Sequence, residues 1–146
     1  MPPLPDLAIR RCRPGESEAV LALWRRAQST PSLTDTAADV GRLLGEPTAV
    51  LLVAVENDTI IGTVIGGWDG WRGNVYRLAV DPDHQRRGVA RSLVAAVDRE
   101  LEAMGARRTS ALVDREHPWA VGFWDSLAGV GYQPDPRNVR YVKTIS

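Results

Sequence analysis

Cysteine is almost missing from this chain: Cys12 is the single one. One thiol cannot close an internal disulfide, so a reducing cytoplasm is the expected location. Cys12 falls in an expected edge strand and reads as inert. Net charge is missing too, with 18 Lys and Arg against 18 Asp and Glu. Without a basic excess, nucleic acid is not expected as the main partner. Apolar runs stop short of the ~20 residues that a membrane span needs, so no membrane partner is expected. The opening Met1-Pro2-Pro3-Leu4-Pro5-Asp6 lacks the charged start and apolar centre of a secretion signal, and residues 1–6 read as a loose tail. His84 and His117 have no partners at metal-ligand spacing, so no metal is expected. Two common phosphate cradles are also absent. There is no Gly-x-x-x-x-Gly-Lys-Ser/Thr and no early Gly-x-Gly-x-x-Gly.

What is present suits one domain over residues 1–146. The length fits, 44% of residues are hydrophobic, and neither a repeat nor an interdomain linker stands out. Leu7-Ala8-Ile9-Arg10-Arg11-Cys12 alternates as a first strand. Pro14-Gly15 leads into a helix through about Gln28, with Val20, Leu21, Trp24 and Ala27 on one face. A second helix is expected over 36–44, closed by Gly45. Residues 48–56 hold a continuous apolar run from Ala49 to Val55, as in a buried strand, and Asn57-Asp58 turns the chain back into 59–67. Asp69-Gly70 between Trp68 and Trp71 predicts a two-residue hairpin loop with the tryptophans paired across it. A strand then ends at Val80. Val89, Leu93, Val97, Leu101 and Met104 form the apolar stripe of a helix ended by Gly105. Residues 108–113 read as a strand. Pro118 opens a last helix with Trp119, Phe123 and Leu127 on one face, and Tyr132 with 138–144 supplies a closing strand. The order βααβββαβαβ gives an α/β fold, a mixed sheet flanked by helices.

The most informative stretch lies between the strand ending at Val80 and the long helix. Asp81-Pro82-Asp83 is a turn signal, and Gln85-Arg86-Arg87-Gly88-Val89-Ala90 follows where the helix begins. A helix N-terminus presents unpaired N–H groups and the positive end of a dipole. Gly88 keeps side-chain bulk away from the backbone, and two arginines add charge. Together they suit a di-anion such as a pyrophosphate. The other reading is an ordinary turn with solvated arginines. The agreement of strand, turn, glycine and stripe favours the anion site.

Gln85-x-x-Gly88-x-Ala90 after an apolar strand resembles motif A of the GCN5-related N-acetyltransferases, Gln/Arg-x-x-Gly-x-Gly/Ala. The order of elements is similar to that family from about residue 7 to residue 144. The resemblance implies a sheet whose fourth and fifth strands splay apart to admit the pantetheine arm of acetyl-CoA. It places the cofactor against Leu78, Ala79 and Val80 and against Gln85, Arg86, Arg87, Gly88, Val89, Ala90, Arg91 and Ser92. Backbone N–H groups of Arg87, Gly88, Ala90 and Arg91 would face the pyrophosphate with Val89 packed inward. Ser92 would add a hydroxyl, and Arg86 or Arg87 would reach the ribose 3′-phosphate.

The chain departs from the family at the acid and the base. Some relatives carry a glutamate base where this chain has Asn74, which cannot act as one. Many carry a tyrosine acid in the last helix, where the matching dipeptide here is Phe123-Trp124. Tryptophan has no proton for that work. Tyr132 and Tyr76 are substitutes by chemistry alone, and solvent is another. On the acceptor side, Asp35, Trp68, Asp69 and Trp71 occupy the places that flank an amine. Asp35 also reads as a helix N-cap, and Asp69 as hairpin-turn chemistry.

The expected function is acetyl-CoA-dependent N-acetylation of a primary amine by direct attack on the thioester. The alternative is a non-catalytic CoA- or acyl-CoA-binding module of the same fold. Relatives are often dimers, so a homodimer is one expectation, although no interface signature stands out.

Overall fold

The computed structural model describes residues 7–145; the expected tail at 1–6 lies outside them. The chain forms two compact units, Met1–Leu112 and Val113–Ser146. The first contains β1 (Leu7–Arg11), α1 (Ser17–Arg26), α2 (Ala37–Leu44), β2 (Ala49–Glu56), β3 (Thr59–Trp68), β4 (Gly73–Val80), α3 (Val89–Met104) and β5 (Thr109–Ala111). The second contains α4 (Ala120–Asp125).

The five strands lie in the order β1-β2-β3-β4-β5. β1 to β4 are antiparallel neighbours, and β5 runs parallel to β4. A parallel neighbour needs a crossover, which α3 supplies. The expected turn at Asn57-Asp58 is present: both residues have positive φ (50° and 63°), and Glu56 pairs with Thr59. These are the conformations of a two-residue hairpin turn that matches strand twist.

One face of the sheet packs on α1 and α2. Val20, Leu21, Leu23, Trp24 and Val40 meet Leu51, Val53, Ile60 and Ala79 in a buried cluster. The other face takes α3, and glycines set how closely. A Cβ at Gly62 would stand 2.9 Å from Leu93 Cδ1, and one at Gly66 would stand 2.6 Å from Val97 Cγ2. Both distances are shorter than packed carbons allow, so the helix sits in a groove that only glycine leaves open. Gly62 pairs with Val80 across the sheet. The N-terminal end of α3 is thereby held beside the C-terminal end of β4.

Two sequence expectations fail here. Trp68 and Trp71 do not pair across a two-residue loop. Trp68 pairs with Gly73, leaving residues 69–72 as the loop. Asp69 Oδ1 accepts from the N–H groups of Trp71 at 2.8 Å and Arg72 at 2.7 Å. A carboxylate that captures local N–H groups closes a longer turn than Asp-Gly alone would give. These two N–H groups, Arg72 first, also hold the Asp69 carboxyl below its ordinary range. Trp71 is left 73% exposed, while Trp68 lies under α3, 3.4 Å from where a Cβ at Gly105 would be. The closing strand is also absent among the described residues, and Val139, Tyr141, Val142 and Ile145 are exposed. Alternation supplies a strand-like pattern, but a strand needs a partner ladder. The preceding segment has proline at 134 and 136, and Asp135 turns inward on Arg137 and Asn138. Among the described residues no helix is long and apolar enough to cross a membrane.

Candidate active site

The site is built around a defect in β4. Thr63 pairs with Ala79 and Ile65 with Tyr76, so two residues of β4 stand opposite one of β3. This is a β-bulge, and Arg77 at its centre has φ of 51°. The pairing of β4 with β5 stops nearby. It covers Gly73, Asn74 and Val75, and the last contact is Leu112 N–H to the Val75 carbonyl at 3.4 Å. Beyond Val75 no strand among the described residues pairs with this edge of β4. Asp81 N–H donates to the Ile61 carbonyl at 2.8 Å. Antiparallel alternation from that bond turns the Ala79 backbone toward β3 and the backbones of Leu78 and Val80 toward the open edge.

At the end of this edge the chain reverses. Asp81 Oδ1 accepts from Asp83 N–H at 3.0 Å, and Gln85 Nε2 donates to the Val80 carbonyl at 3.4 Å. Arg86 and Gly88 both have positive φ, 64° and 84°. No side chain caps α3 at Gly88, and the first turn carries no acidic residue. Ser92 N–H donates to the Gly88 carbonyl at 3.1 Å, so the preceding N–H groups of Val89 and Ala90 point out of the helix end. The Val89 side chain is buried, as expected.

The two arginines differ. Arg87 forms a two-pronged ion pair with Glu56, at 2.8 and 3.3 Å. Arg86 has no ion pair among the described residues. Beneath them, Arg26 pairs with Asp81 at 2.9 Å, and His84 lies 3.6 Å from Glu56 and 3.7 Å from Asp81. Burial pushes the Asp81 carboxyl up, but the Asp83 N–H and Arg26 outweigh it and the net shift is downward. His84 is thus more enclosed than a surface histidine. Among the described residues, no group of three or more His, Cys, Asp or Glu side chains could hold a metal.

Asp35 does not cap α2. Thr36 does, accepting from Asp39 N–H at 3.1 Å. Asp35 Oδ1 instead accepts from Arg77 Nη2 at 2.9 Å, and its Oδ2 accepts from Ser32 N–H at 3.1 Å. The Arg77 guanidinium also lies over the Trp24 ring, 4.9 Å from its centroid. Trp24 Nε1 donates to Thr63 Oγ1 at 2.9 Å, and Thr63 Oγ1 donates to the Arg77 carbonyl at 2.9 Å. Sequence reasoning passed over Thr63, Arg77 and Glu56. One signal was available: Thr63 is a lone hydroxyl inside the apolar run of β3.

Tyr76 lies on β4 beside the bulge and is partly exposed. Tyr132 belongs to the second unit, where its ring meets Trp124 edge-on at 4.9 Å. In the same unit Trp119 stacks on Phe123 at 4.8 Å.

The family model described as the acetyltransferase (GNAT) family matches residues 17–129. A protein from Pectobacterium atrosepticum named an acetyltransferase is 34% identical over 121 residues, covering 83% of this chain and 86% of its own length. Among solved structures, the aminoglycoside N-acetyltransferase AAC(6')-Iy in complex with CoA superposes with a TM-score of 0.76, 20% identity and 99% coverage of both chains. The PaiA N-acetyltransferase from Thermoplasma acidophilum, in complex with coenzyme A, has a TM-score of 0.73 at 14% identity, covering 84% of this chain and 87% of its own.

Proposed function

This chain belongs to the GNAT family and is an N-acetyltransferase, and from that premise we propose that it moves an acetyl group from acetyl-CoA to a primary amine by direct attack. The observation that carries this is the open edge of β4 ending at an uncapped α3 N-terminus. The match over residues 17–129 runs across both units, which supports reading the chain as one acetyltransferase domain.

In this reading the backbone edge of β4 receives the acyl-pantetheine arm as it would an added strand, the Val80 end taking the pantetheine amides and the Leu78 N–H, nearest the bulge, facing the thioester carbonyl. The side chain of Ala79 supports that edge from the core. The loop from Gln85 to Ser92 receives the pyrophosphate. Gly88 leaves the N–H groups of Arg87, Ala90 and Arg91 approachable, and Ser92 adds its hydroxyl. Arg86 takes the 3′-phosphate, because Arg87 is committed to Glu56.

Acetyl-CoA supplies an activated acyl group on a good thiolate leaving group. The protein's part is positioning, and polarisation of the carbonyl by an edge N–H. The amine nitrogen bonds to the carbonyl carbon, the carbon–sulfur bond breaks, and the sulfur leaves with the electron pair. The attacking ammonium must first lose a proton, and the thiolate must gain one. Tyr76 is the proton-bearing candidate in the unit that carries the β4 edge, with solvent as the alternative. The acceptor faces the hairpin tip at Asp69 and Trp71. Trp68 closes the base of this loop against the end of α3, and Asp35 acts through Arg77. The partners in this reading are acetyl-CoA and an amine acceptor, either a small molecule or a protein amine.

A second reading, a CoA-binding module without turnover, is favoured by Asn74 and Trp124, which stand where relatives carry their base and acid. One experiment separates the two. Purified protein is given acetyl-CoA and a panel of polyamines, amino acids, aminoglycosides and peptide amines, while thiol release and acetyl-CoA affinity are measured. Saturable release supports the transferase. Tight binding without release supports the module, and the absence of both rejects the site.

A further inference from the structure

We propose that Thr63 is a positioning residue for acetyl transfer: it holds the β4 bulge so that the Leu78 N–H is aimed into the open edge. The proposal presupposes the acetyl-transfer reading. It concerns how the edge acquires its geometry, which that reading leaves unexplained.

Thr63 is the only buried polar side chain among the described residues, with 0% exposure. Such a group is stable inside a core only when its hydrogen bonds are made. Here the hydroxyl proton goes to the Arg77 carbonyl at 2.9 Å, and a lone pair accepts the Trp24 indole N–H at 2.9 Å. The Arg77 carbonyl needs this partner. The bulge removes it from the regular ladder, with φ of 51° at Arg77 and the register slipped between Thr63 and Ile65. A side chain from the neighbouring strand takes the bond that a backbone N–H would otherwise make.

The consequence passes through one peptide plane. The Arg77 carbonyl and the Leu78 N–H belong to the same planar trans unit, so they point in opposite directions. Fixing the carbonyl inward on Thr63 turns the Leu78 N–H outward, beyond the point where β5 stops pairing at Val75. The side chain of Arg77 closes the circuit. Its guanidinium covers Trp24, the donor to Thr63, and pairs with Asp35 in the connection between α1 and α2. Backbone and side chain of one residue are therefore held through the same indole.

The test compares three variants under identical assay conditions. Thr63→Val keeps the shape and removes the hydroxyl. Thr63→Ser keeps the hydroxyl and loses a methyl. Trp24→Phe removes the indole donor. With acetyl-CoA and the amine found active in the panel, Thr63→Val is expected to lose at least tenfold in kcat with acetyl-CoA Kd changed less than about threefold. Thr63→Ser should recover kcat to within about threefold of the parent, and Trp24→Phe should fall between them. Full kcat in Thr63→Val overturns the proposal. Equal impairment of the Val and Ser variants also overturns it, because volume rather than the hydroxyl would then matter. A second readout needs neither turnover nor the Val variant: the NMR shifts of the Leu78 amide and the Arg77 carbonyl carbon. They should move in Trp24→Phe and stay near the parent in Thr63→Ser, and unmoved shifts in Trp24→Phe overturn the clamp. A parent protein that transfers nothing defeats the transferase reading, while these shifts still decide the clamp.

Discussion

Arg87 grips Glu56 with both arms of its guanidinium, Nη2 to Oε2 at 2.8 Å and Nη1 to Oε1 at 3.3 Å. Adjacent arginines therefore do different work: one ties the glycine loop to the end of β2, and the other is available to an anion. Arg86→Ala is expected to weaken acetyl-CoA binding about two- to fivefold with little loss of stability. Arg87→Ala should leave affinity within about twofold and cost about 1 kcal/mol of stability, because Glu56 loses its charge-assisted bonds. Calorimetric titration and thermal melts on both variants check the division. Equal effects on affinity would contradict it.

Gly88 has φ of 84° at the uncapped start of α3. A β-branched residue is strained in that conformation and adds bulk at the backbone where the proposed pyrophosphate site lies. Gly88→Val should weaken acetyl-CoA binding more than tenfold, about 1.4 kcal/mol or more. Circular dichroism establishes that the variant is folded. Unchanged affinity in a folded variant would remove the pyrophosphate from this loop.

The seat of α3 depends on glycine. Gly66→Ala would put a Cβ 2.6 Å from Val97 Cγ2. Overpacking of this kind costs about 1–3 kcal/mol. Shortening the opposing side chain should restore part of it, so Gly66→Ala with Val97→Ala should be more stable than the sum of the two single changes predicts. A double-mutant cycle on denaturant midpoints measures this coupling. Strict additivity would mean that the helix moves freely and the glycine is not needed.

Arg10 holds Glu16 through two bonds of 2.8 Å. That pairing, helped by the Arg13 N–H and opposed by burial, lowers the Glu16 carboxyl from 4.5 to about 2. The folded value lies below the unfolded one. The stabilisation is therefore present above about pH 4.5 and is lost as pH falls toward 2. Glu16→Gln should lower Tm at neutral pH, and the gap from the parent should shrink progressively across that window. A gap that stays constant with pH would mean that the ion pair contributes nothing to stability.

Burial pushes the Cys12 thiol up to about 11. Alkylating reagents need the thiolate, so the folded protein should resist iodoacetamide at pH 8 and react fully in denaturant. Mass spectrometry before and after unfolding checks this. Rapid labelling of the native protein would show that the edge beside β1 opens.

The glycine loop was legible because everything that defines it is local. The turn at residues 81–83, the glycine with left-handed φ and the stripe from Val89 to Leu101 lie within one stretch of chain, and backbone sterics act over a few residues. The Asn57-Asp58 hairpin was legible for the same reason. Asp35 was not: its cap-like position was clear, but its partner Arg77 lies on another element and Thr36 took the cap. The hairpin at residues 69–72 was misread because Asp69 can satisfy either turn, and the register of Trp68 with Gly73 settled which. Residues 138–144 carry the alternation of a strand without a partner to pair with.

The sequence by itself determined the family resemblance, the order of the elements through α3 and the turn and glycine of the loop between β4 and α3, because these follow from periodicity and short-range backbone preference. Tertiary structure alone decided which arginine is free, what Asp35 binds, and that a buried hydroxyl on β3 holds the bulge of β4. Those outcomes depend on which side chains are brought within 3 Å across the sheet, and hydrogen bonding at that range is set by strand register and by the packing of α1 and α3.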